Sequence, residues 1–110
     1  MQINVSERNG AVIVTPVGSM DATTTNIFVN ACQERLNAGS TKMAVDLSEI
    51  GYMSSAGLRG VLTVLKASRA QGATVVFCCL QPMVAEVFMI SGFSTMMAIF
   101  DNLDAAIASL

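Results

Sequence analysis

The sequence lacks several residues on which common functions depend. It contains no histidine and no tryptophan, and only 13% of its 110 residues are charged. Without histidine, a Ser-His-Asp triad and any histidine-based metal ligand are excluded. The net charge of −2 is not the basic excess typical of nucleic-acid binding. No apolar run approaches the ~20 residues of a membrane-spanning helix. We therefore expect neither an enzyme, nor a nucleic-acid-binding protein, nor a membrane span.

The cysteines are few and poorly spaced for a metal site or a set of disulfides. There are three, and Cys78 and Cys79 are adjacent within an apolar run. Because no C-x-x-C spacing occurs, we predict no zinc site, no other bound metal and no cofactor. We interpret the thiols as buried groups in a reducing compartment. The N-terminus has no basic start before an apolar segment, so we expect no signal peptide and a cytoplasmic location.

Hydrophobic residues make up 53% of the chain, which predicts one globular domain over residues 1–110. The eight methionines are interpreted mainly as adaptable core residues, with an exposed apolar patch as the alternative for some of them. Four lie near the C-terminal third: Met83, Met89, Met96 and Met97. Charge is unevenly distributed. No acidic residue occurs from Ile50 to Ala85, whereas three of the six cations lie there: Arg59, Lys66 and Arg69. This stretch suits one bound or covalent anion.

Hydrophobic periodicity predicts the order β-β-α-β-α-β-α-β-α. The predicted strands are INVSER before an Asn-Gly turn, Ala11–Val17, Lys42–Leu47, Ala73–Leu80 and MMAIF. The predicted helices run from near Thr23 to Gly39, after the serine pair, from Pro82 to Gly92, and beyond a cap at Asp101. Pro16 suggests an edge strand or a bulge. The alternation implies an α/β domain whose mixed, mainly parallel sheet has four or five strands, with about four helices packed on it.

The stretch YMSSAGLRG places Ser54 and Ser55 between an apolar run and a helix. Beyond them, one apolar stripe contains Leu58, Val61, Leu62 and Leu65, and the opposite face contains Arg59, Thr63 and Lys66. The serines can cap the helix, act as a nucleophile or accept a phosphate. A Ser-Lys pair is improbable because Lys66 lies about 16 Å beyond Ser55. One serine suffices for a cap, which leaves the second hydroxyl accessible at the positive end of a helix.

Three segments resemble the STAS domain of bacterial anti-sigma factor antagonists. VDLSEIGYMSSAGLRGVL resembles the central motif of that family. PVGSMDATT is similar to the segment before its first helix, and SGFSTMMAIFDNLDAAIASL is similar to its ending. Together these segments extend the resemblance over nearly the whole chain, so it implies a single STAS-like α/β domain.

The resemblance also implies roles for individual residues. Ser55 corresponds to the serine that partner kinases phosphorylate, and Ser54 is the second choice as acceptor because many members have aspartate there. Asp21 corresponds to an acidic residue close to that serine. The implied partner-binding set is Asp21, Ser54, Ser55, Gly57, Arg59, Thr63 and Lys66.

The function implied by the resemblance is partner switching. The unphosphorylated protein would bind an anti-sigma factor, often a serine kinase, and so release the sigma factor. Phosphorylation would end this binding, and a phosphoserine phosphatase would restore it. The alternative is a STAS scaffold or regulatory subunit without phosphorylation, for example in a lipid-transporting ABC system. An enzyme with Ser55 as nucleophile is a remote third hypothesis.

Overall fold

Strands and helices alternate along the chain in a computed structural model that describes all 110 residues. The elements are β1 (Gln2–Arg8), β2 (Ala11–Met20), α1 (Thr25–Asn37), β3 (Lys42–Asp46), β4 (Ile50–Met53), α2 (Ser55–Ala70), β5 (Thr74–Cys78), α3 (Pro82–Ile90), β6 (Ile99–Phe100) and α4 (Leu103–Ala108). A 3-10 turn, Phe93–Thr95, lies between α3 and β6. The predicted α/β class is confirmed. None of the four helices has the length and apolar character needed to cross a membrane.

The sheet contains one strand more than the five predicted. Its strands lie in the order β1-β2-β3-β5-β6, and the additional strand β4 pairs with β2. β1 and β2 form an antiparallel pair, and all the other paired strands are parallel. They are joined by the predicted turn, in which Asn9 and Gly10 have φ values of 54° and 79°, as a tight hairpin requires. The four residues of β4 were too few for the sequence pattern to indicate a strand.

Pro16 lies in an interior strand, where β2 changes its parallel partner. Residues Val12–Val14 of β2 pair with β3, and Gly18–Met20 pair with β4. Pro16 lies between these two segments, so its missing N–H removes no parallel hydrogen bond. A register shift follows between Gly18 and Ser19. Pro16 therefore lies where a long interior strand changes its parallel partner, two residues before the irregular point at Gly18 and Ser19.

The two faces of the sheet carry separate cores. Alternate strand residues such as Val45 and Phe77 pack beneath α1, α2 and α3 in a cluster of 21 buried residues. The intervening residues, including Ala44 and Val76, pack against α4 in a cluster of 6. In the α2 stripe, Leu62 is only partly buried and Val64 is completely buried. Three helices thus cover one face and one short helix covers the other.

Two predictions about the C-terminal third are wrong. Asn102, not Asp101, caps α4, because its side-chain oxygen accepts a hydrogen bond from the N–H of Ala105 at 2.8 Å. The core interpretation of the methionines holds for Met97, which is buried. It fails for three others that remain exposed by 40% or more: Met83, Met89 and Met96. Their positions on α3 and in the following loop face solvent, which the composition could not indicate.

Candidate functional site

The site begins where β2 and β4 end side by side. Met20 and Met53 are register partners in these parallel strands. The N–H of Ser54 donates a hydrogen bond to the carbonyl of Met20 at 2.9 Å. Asp21 and Ser54 each follow one of the two methionines, so the two loops emerge together at the carboxyl edge of the sheet. This edge is where ligands bind in open parallel sheets.

Ser54 is the cap of α2. Its backbone is extended (φ −86°, ψ 176°), and its side-chain oxygen accepts a hydrogen bond from the N–H of Gly57 at 3.3 Å. Its carbonyl accepts the first helical bond, from Leu58 at 3.0 Å. Both features define an N-cap serine. The hydroxyl of Ser54 therefore has a structural role.

Ser55 has no such role. It is the first residue of α2, its side chain is exposed, and its hydroxyl forms no hydrogen bond within the protein. The amides of Ser55 and Ala56 belong to the first helical turn, where no intrahelical acceptor exists. A free hydroxyl thus projects from the positive end of a helix of 16 residues.

Gly57 fixes how closely the helix start approaches the strands. The residue is buried, and a Cβ atom there would lie 2.6 Å from the carbonyl oxygen of Met20 and 2.8 Å from Cγ of Met53. Any side chain would push α2 away from the ends of both strands. Gly57 therefore supports the site through packing, and its predicted contact with a partner stays a prediction.

The three predicted polar residues of α2 lie on its exposed face. Arg59, Thr63 and Lys66 are all exposed, and the Thr63 hydroxyl donates to the carbonyl of Arg59 at 2.9 Å. Neither Arg59 nor Lys66 forms an ion pair, since the single ion pair of the protein joins Arg8 and Asp104.

These residues also border a groove beside the serines. Arg59 and Thr63 line a groove of about 280 Å³ between α1 and α2. The third cation of the acid-free stretch, Arg69, donates to the carbonyl of Met96 at 2.7 Å. Of the three cations, Arg59 lies nearest along the chain to Ser55, one helical turn away.

Asp21 organises its own turn. Its carboxylate accepts hydrogen bonds from the N–H and the hydroxyl of Thr23, at 2.8 and 2.7 Å, and from the hydroxyl of Thr24 at 3.3 Å. The bond from the Thr23 hydroxyl is the main cause that lowers the pKa of Asp21 below its ordinary value of 3.8. Asp21 is therefore a carboxylate at neutral pH, beside the serine loop. Its predicted effect on kinase recognition stays a prediction.

Tyr52 is a surface feature that the sequence analysis did not single out. Its side chain is 45% exposed, two residues before the cap of α2. In β4, Ile50 and Met53 are buried whereas Gly51 and Tyr52 face solvent. The ring is thus presented beside the serines, and aromatic residues of this kind are enriched in protein–protein interfaces. Its exposure depends on the pairing of β4, which the local pattern did not reveal.

The fold also brings three potential metal ligands together: Asp46 and the adjacent pair Cys78 and Cys79, which is far from Asp46 in the sequence. The ligand atoms of Asp46, Cys78 and Cys79 all lie within 4.8 Å of one another. The prediction of no metal site considered cysteine spacing along the chain, and it did not consider neighbouring strands. Cys32 is buried elsewhere in the core.

Comparison with known proteins identifies the family. The sequence model of the STAS domain matches residues 2–106, which is almost the whole chain. The chain belongs to the STAS family. This STAS domain is 31% identical over 109 residues to BtrV of Bordetella bronchiseptica, which is named as a proposed anti-sigma factor antagonist. The match covers 99% of this chain and 94% of BtrV.

Solved structures share the fold of this STAS domain. A Thermotoga maritima protein, proposed to be an anti-sigma factor antagonist, matches with a TM-score of 0.90 and 19% identity over 97% of this chain and 92% of that one. SpoIIAA of Bacillus in its phosphorylated form matches with a TM-score of 0.73 and 17% identity over 98% of each chain. At these identities the likeness extends to the fold alone.

Proposed function

We propose that this STAS domain is an anti-sigma factor antagonist that phosphorylation of Ser55 switches off. The unphosphorylated form binds an anti-sigma factor, itself a serine kinase, and the sigma factor is released. A phosphoserine phosphatase restores the binding form. The single observation that carries the proposal is the difference between the serines: Ser54 caps the helix, and Ser55 presents a free, exposed hydroxyl.

The chemistry of the site explains why the free protein tolerates a phosphate. A phosphoserine adds about −1.5 to −2 charges at neutral pH. At Ser55 it would meet the unpaired amides and the positive end of α2, both of which favour an anion. Arg59 lies one turn along the same helix and has no ion-pair partner. The stretch from Ile50 to Ala85 contributes no acidic side chain that would repel the new charge.

The negative charge of the phosphate would weaken a complex in which the partner covers the start of α2. A partner that buries Ser55 would have to desolvate the phosphate, and a penalty of about 3 kcal/mol lowers affinity by roughly 100-fold. Exposed Tyr52 and the α2 residues Arg59, Thr63 and Lys66 supply the surface for such a complex. Gly57 allows the start of α2 to pack against the ends of β2 and β4, and Asp21 orders the turn that follows β2.

The names of related proteins give further support. BtrV, the relative with 31% identity, carries the name of the same class. SpoIIAA shares the fold and exists in unphosphorylated and phosphorylated forms. A cytoplasmic location agrees with this function, because sigma factors act there.

The test combines phosphorylation with binding. After incubation with its serine kinase partner and ATP, we expect mass spectrometry to find one phosphate, on Ser55. We also expect Ser55→Ala to bind the partner as wild type does and to resist phosphorylation. Ser55→Asp should bind at least about 10-fold more weakly, since it places one charge in the interface.

A matched control carries the same new charge elsewhere. Ser6 is exposed on β1 and pairs with Ile13, far from the end of β2 that carries the site. Ser6→Asp should therefore retain wild-type affinity. If Ser55→Asp binds as tightly as Ser6→Asp, or if phosphate is found only on another residue, the switch is refuted. The scaffold function would then replace it.

A further inference from the structure

A second chemical cluster lies at the carboxyl ends of β3 and β5. Asp46 and Cys78 are register partners on these adjacent parallel strands. Both belong to the alternate set of residues that faces α4, because Ala44 and Val76 two positions earlier pack in the α4 core. Cys78 is completely buried and Asp46 is partly exposed. The pairing therefore places a thiol beside a carboxylate.

An unusual backbone conformation adds a second thiol. Successive residues of a strand point to opposite faces, so Cys79 would ordinarily point away from Cys78. Cys79 instead has a φ of 62°, in the left-handed region that residues other than glycine rarely adopt. Its N–H donates to the carbonyl of Phe100 at 3.1 Å, and it packs on the α4 side with Leu103. The two adjacent thiols therefore lie on the same face of the sheet.

We propose that Asp46, Cys78 and Cys79 bind a thiophilic divalent cation of the zinc class. Two thiolates and one carboxylate are a ligand set that zinc accepts, and water completes an open tetrahedral site. The three ligand atoms lie within 4.8 Å of one another. In a tetrahedral site with metal–ligand distances of about 2.0–2.3 Å, two ligand atoms are roughly 3.5–3.8 Å apart. A contraction of about 1 Å, within reach of side-chain rotation, would therefore close the site. Access is available through Cys79 and Asp46, which are both partly exposed.

Release of protons from the two thiols offsets the charge of the bound cation, which matters because the site is partly buried. Burial raises the pKa of both thiols, so they carry protons at neutral pH when no metal is bound. A divalent cation displaces two protons as it binds. Two positive charges enter and two protons leave, so the net charge of the site is the same before and after binding. Metal binding therefore leaves no additional net charge in a region of low polarity.

The test is a titration of the reduced, metal-free protein with Cd²⁺. Binding is monitored by the ultraviolet charge-transfer absorption of the cadmium–thiolate bonds. We expect one equivalent of Cd²⁺ to bind, and a large excess of Zn²⁺ to compete for the same site, because the softer Cd²⁺ binds thiolates more tightly. Cys79→Gly should lose the saturable signal while keeping the fold, because glycine adopts the left-handed conformation without strain. Asp46→Asn should retain the signal and bind at least about 10-fold more weakly, because loss of a direct ligand should cost no less than loss of an outer-shell partner does.

The third cysteine provides the control. Cys32 is buried in the other core, beneath the opposite face of the sheet, so Cys32→Ala should titrate as wild type does. Far-ultraviolet circular dichroism of each variant checks the fold. The site is refuted if wild type gives no saturable signal, if a large excess of Zn²⁺ does not lower the apparent affinity for Cd²⁺, if Cys79→Gly binds as tightly as wild type, or if Cys32→Ala abolishes binding. None of these results depends on Ser55.

Discussion

At the scale of single residues, the two neighbouring serines differ in what their hydroxyls contact. The Ser54 oxygen accepts a hydrogen bond from the N–H of Gly57, whereas Ser55 is exposed and its hydroxyl forms no hydrogen bond within the protein. Capping and phosphate acceptance would compete if one residue had to do both, because a phosphorylated cap could not keep the same geometry. With two serines, helix α2 would retain its cap when Ser55 is phosphorylated as we propose.

This difference predicts unequal effects on stability. Ser54→Ala should lower the free energy of unfolding by ~1 kcal/mol, since it removes the cap hydrogen bond. Ser55→Ala should change it by less than ~0.5 kcal/mol, as expected at an exposed position without partners. Urea denaturation of both variants measures the two values. Equal losses, or a larger loss for Ser55→Ala, would contradict the assigned roles.

At the scale of elements, the position of α2 depends on close contacts at its glycines. Gly57 touches the ends of β2 and β4, and Gly60 touches α1 one turn later. A Cβ atom at Gly60 would lie 2.1 Å from Cγ2 of Thr25 and 3.2 Å from Cγ2 of Val29. Two glycines in one helix are costly in isolation. They are retained here because packing against the strands and α1 leaves no room for a methyl group.

Gly60→Ala should therefore destabilise the protein by ~1–3 kcal/mol, although alanine is the better helix former. Adding Thr25→Ser should recover much of this loss, because serine lacks Cγ2 and keeps the hydroxyl that donates to the carbonyl of Asp21. The control is Gly51→Ala, where the nearest atom, Oε1 of Gln81, is 3.8 Å away. Thermal unfolding of the wild type and the three variants compares their stabilities. A neutral Gly60→Ala would show that the helices can separate at no cost, and no recovery in the double variant would show that contact with Thr25 is not the source of the loss.

At the scale of the whole molecule, one sheet joins two cores of unequal size. The core beneath α1, α2 and α3 has 21 buried residues, and the core beneath α4 has 6. Each interior strand contributes side chains to both, so neither core can form without the strands of the other. This shared sheet predicts one cooperative unfolding transition, as is usual for domains of this size.

Matched isoleucine substitutions test the coupling. Ile50 is buried in the larger core and Ile107 in the smaller one. Ile50→Ala and Ile107→Ala should each cost ~2–5 kcal/mol, with Ile107→Ala at the lower end because α4 is short. Both substitutions should lower the urea concentration at the midpoint of the single transition. Neither should change the slope of the unfolding free energy against urea concentration. A separate early transition in Ile107→Ala would show that α4 unfolds independently.

The sequence by itself determined the features that depend on local periodicity and turn chemistry. Apolar alternation and helical stripes indicated five of the six strands and all four helices, and Asn9-Gly10 indicated the hairpin. The small residues around Ser54 and Ser55 marked the junction that the fold places at the carboxyl edge of the sheet. Each of these signals extends over a few consecutive residues, so no knowledge of distant contacts was needed.

Only the tertiary structure decided features that depend on contacts between distant segments. β4 exists because its four residues pair with the end of β2, and Tyr52 is exposed as a result. Which serine caps α2 depends on backbone geometry at the strand end, and the same holds for the choice of Asn102 over Asp101. Asp46 lies 32 positions before Cys78 along the chain, yet parallel register makes them neighbours. Sequence spacing cannot predict such clusters, because the register of two strands is set by the packing of the whole sheet.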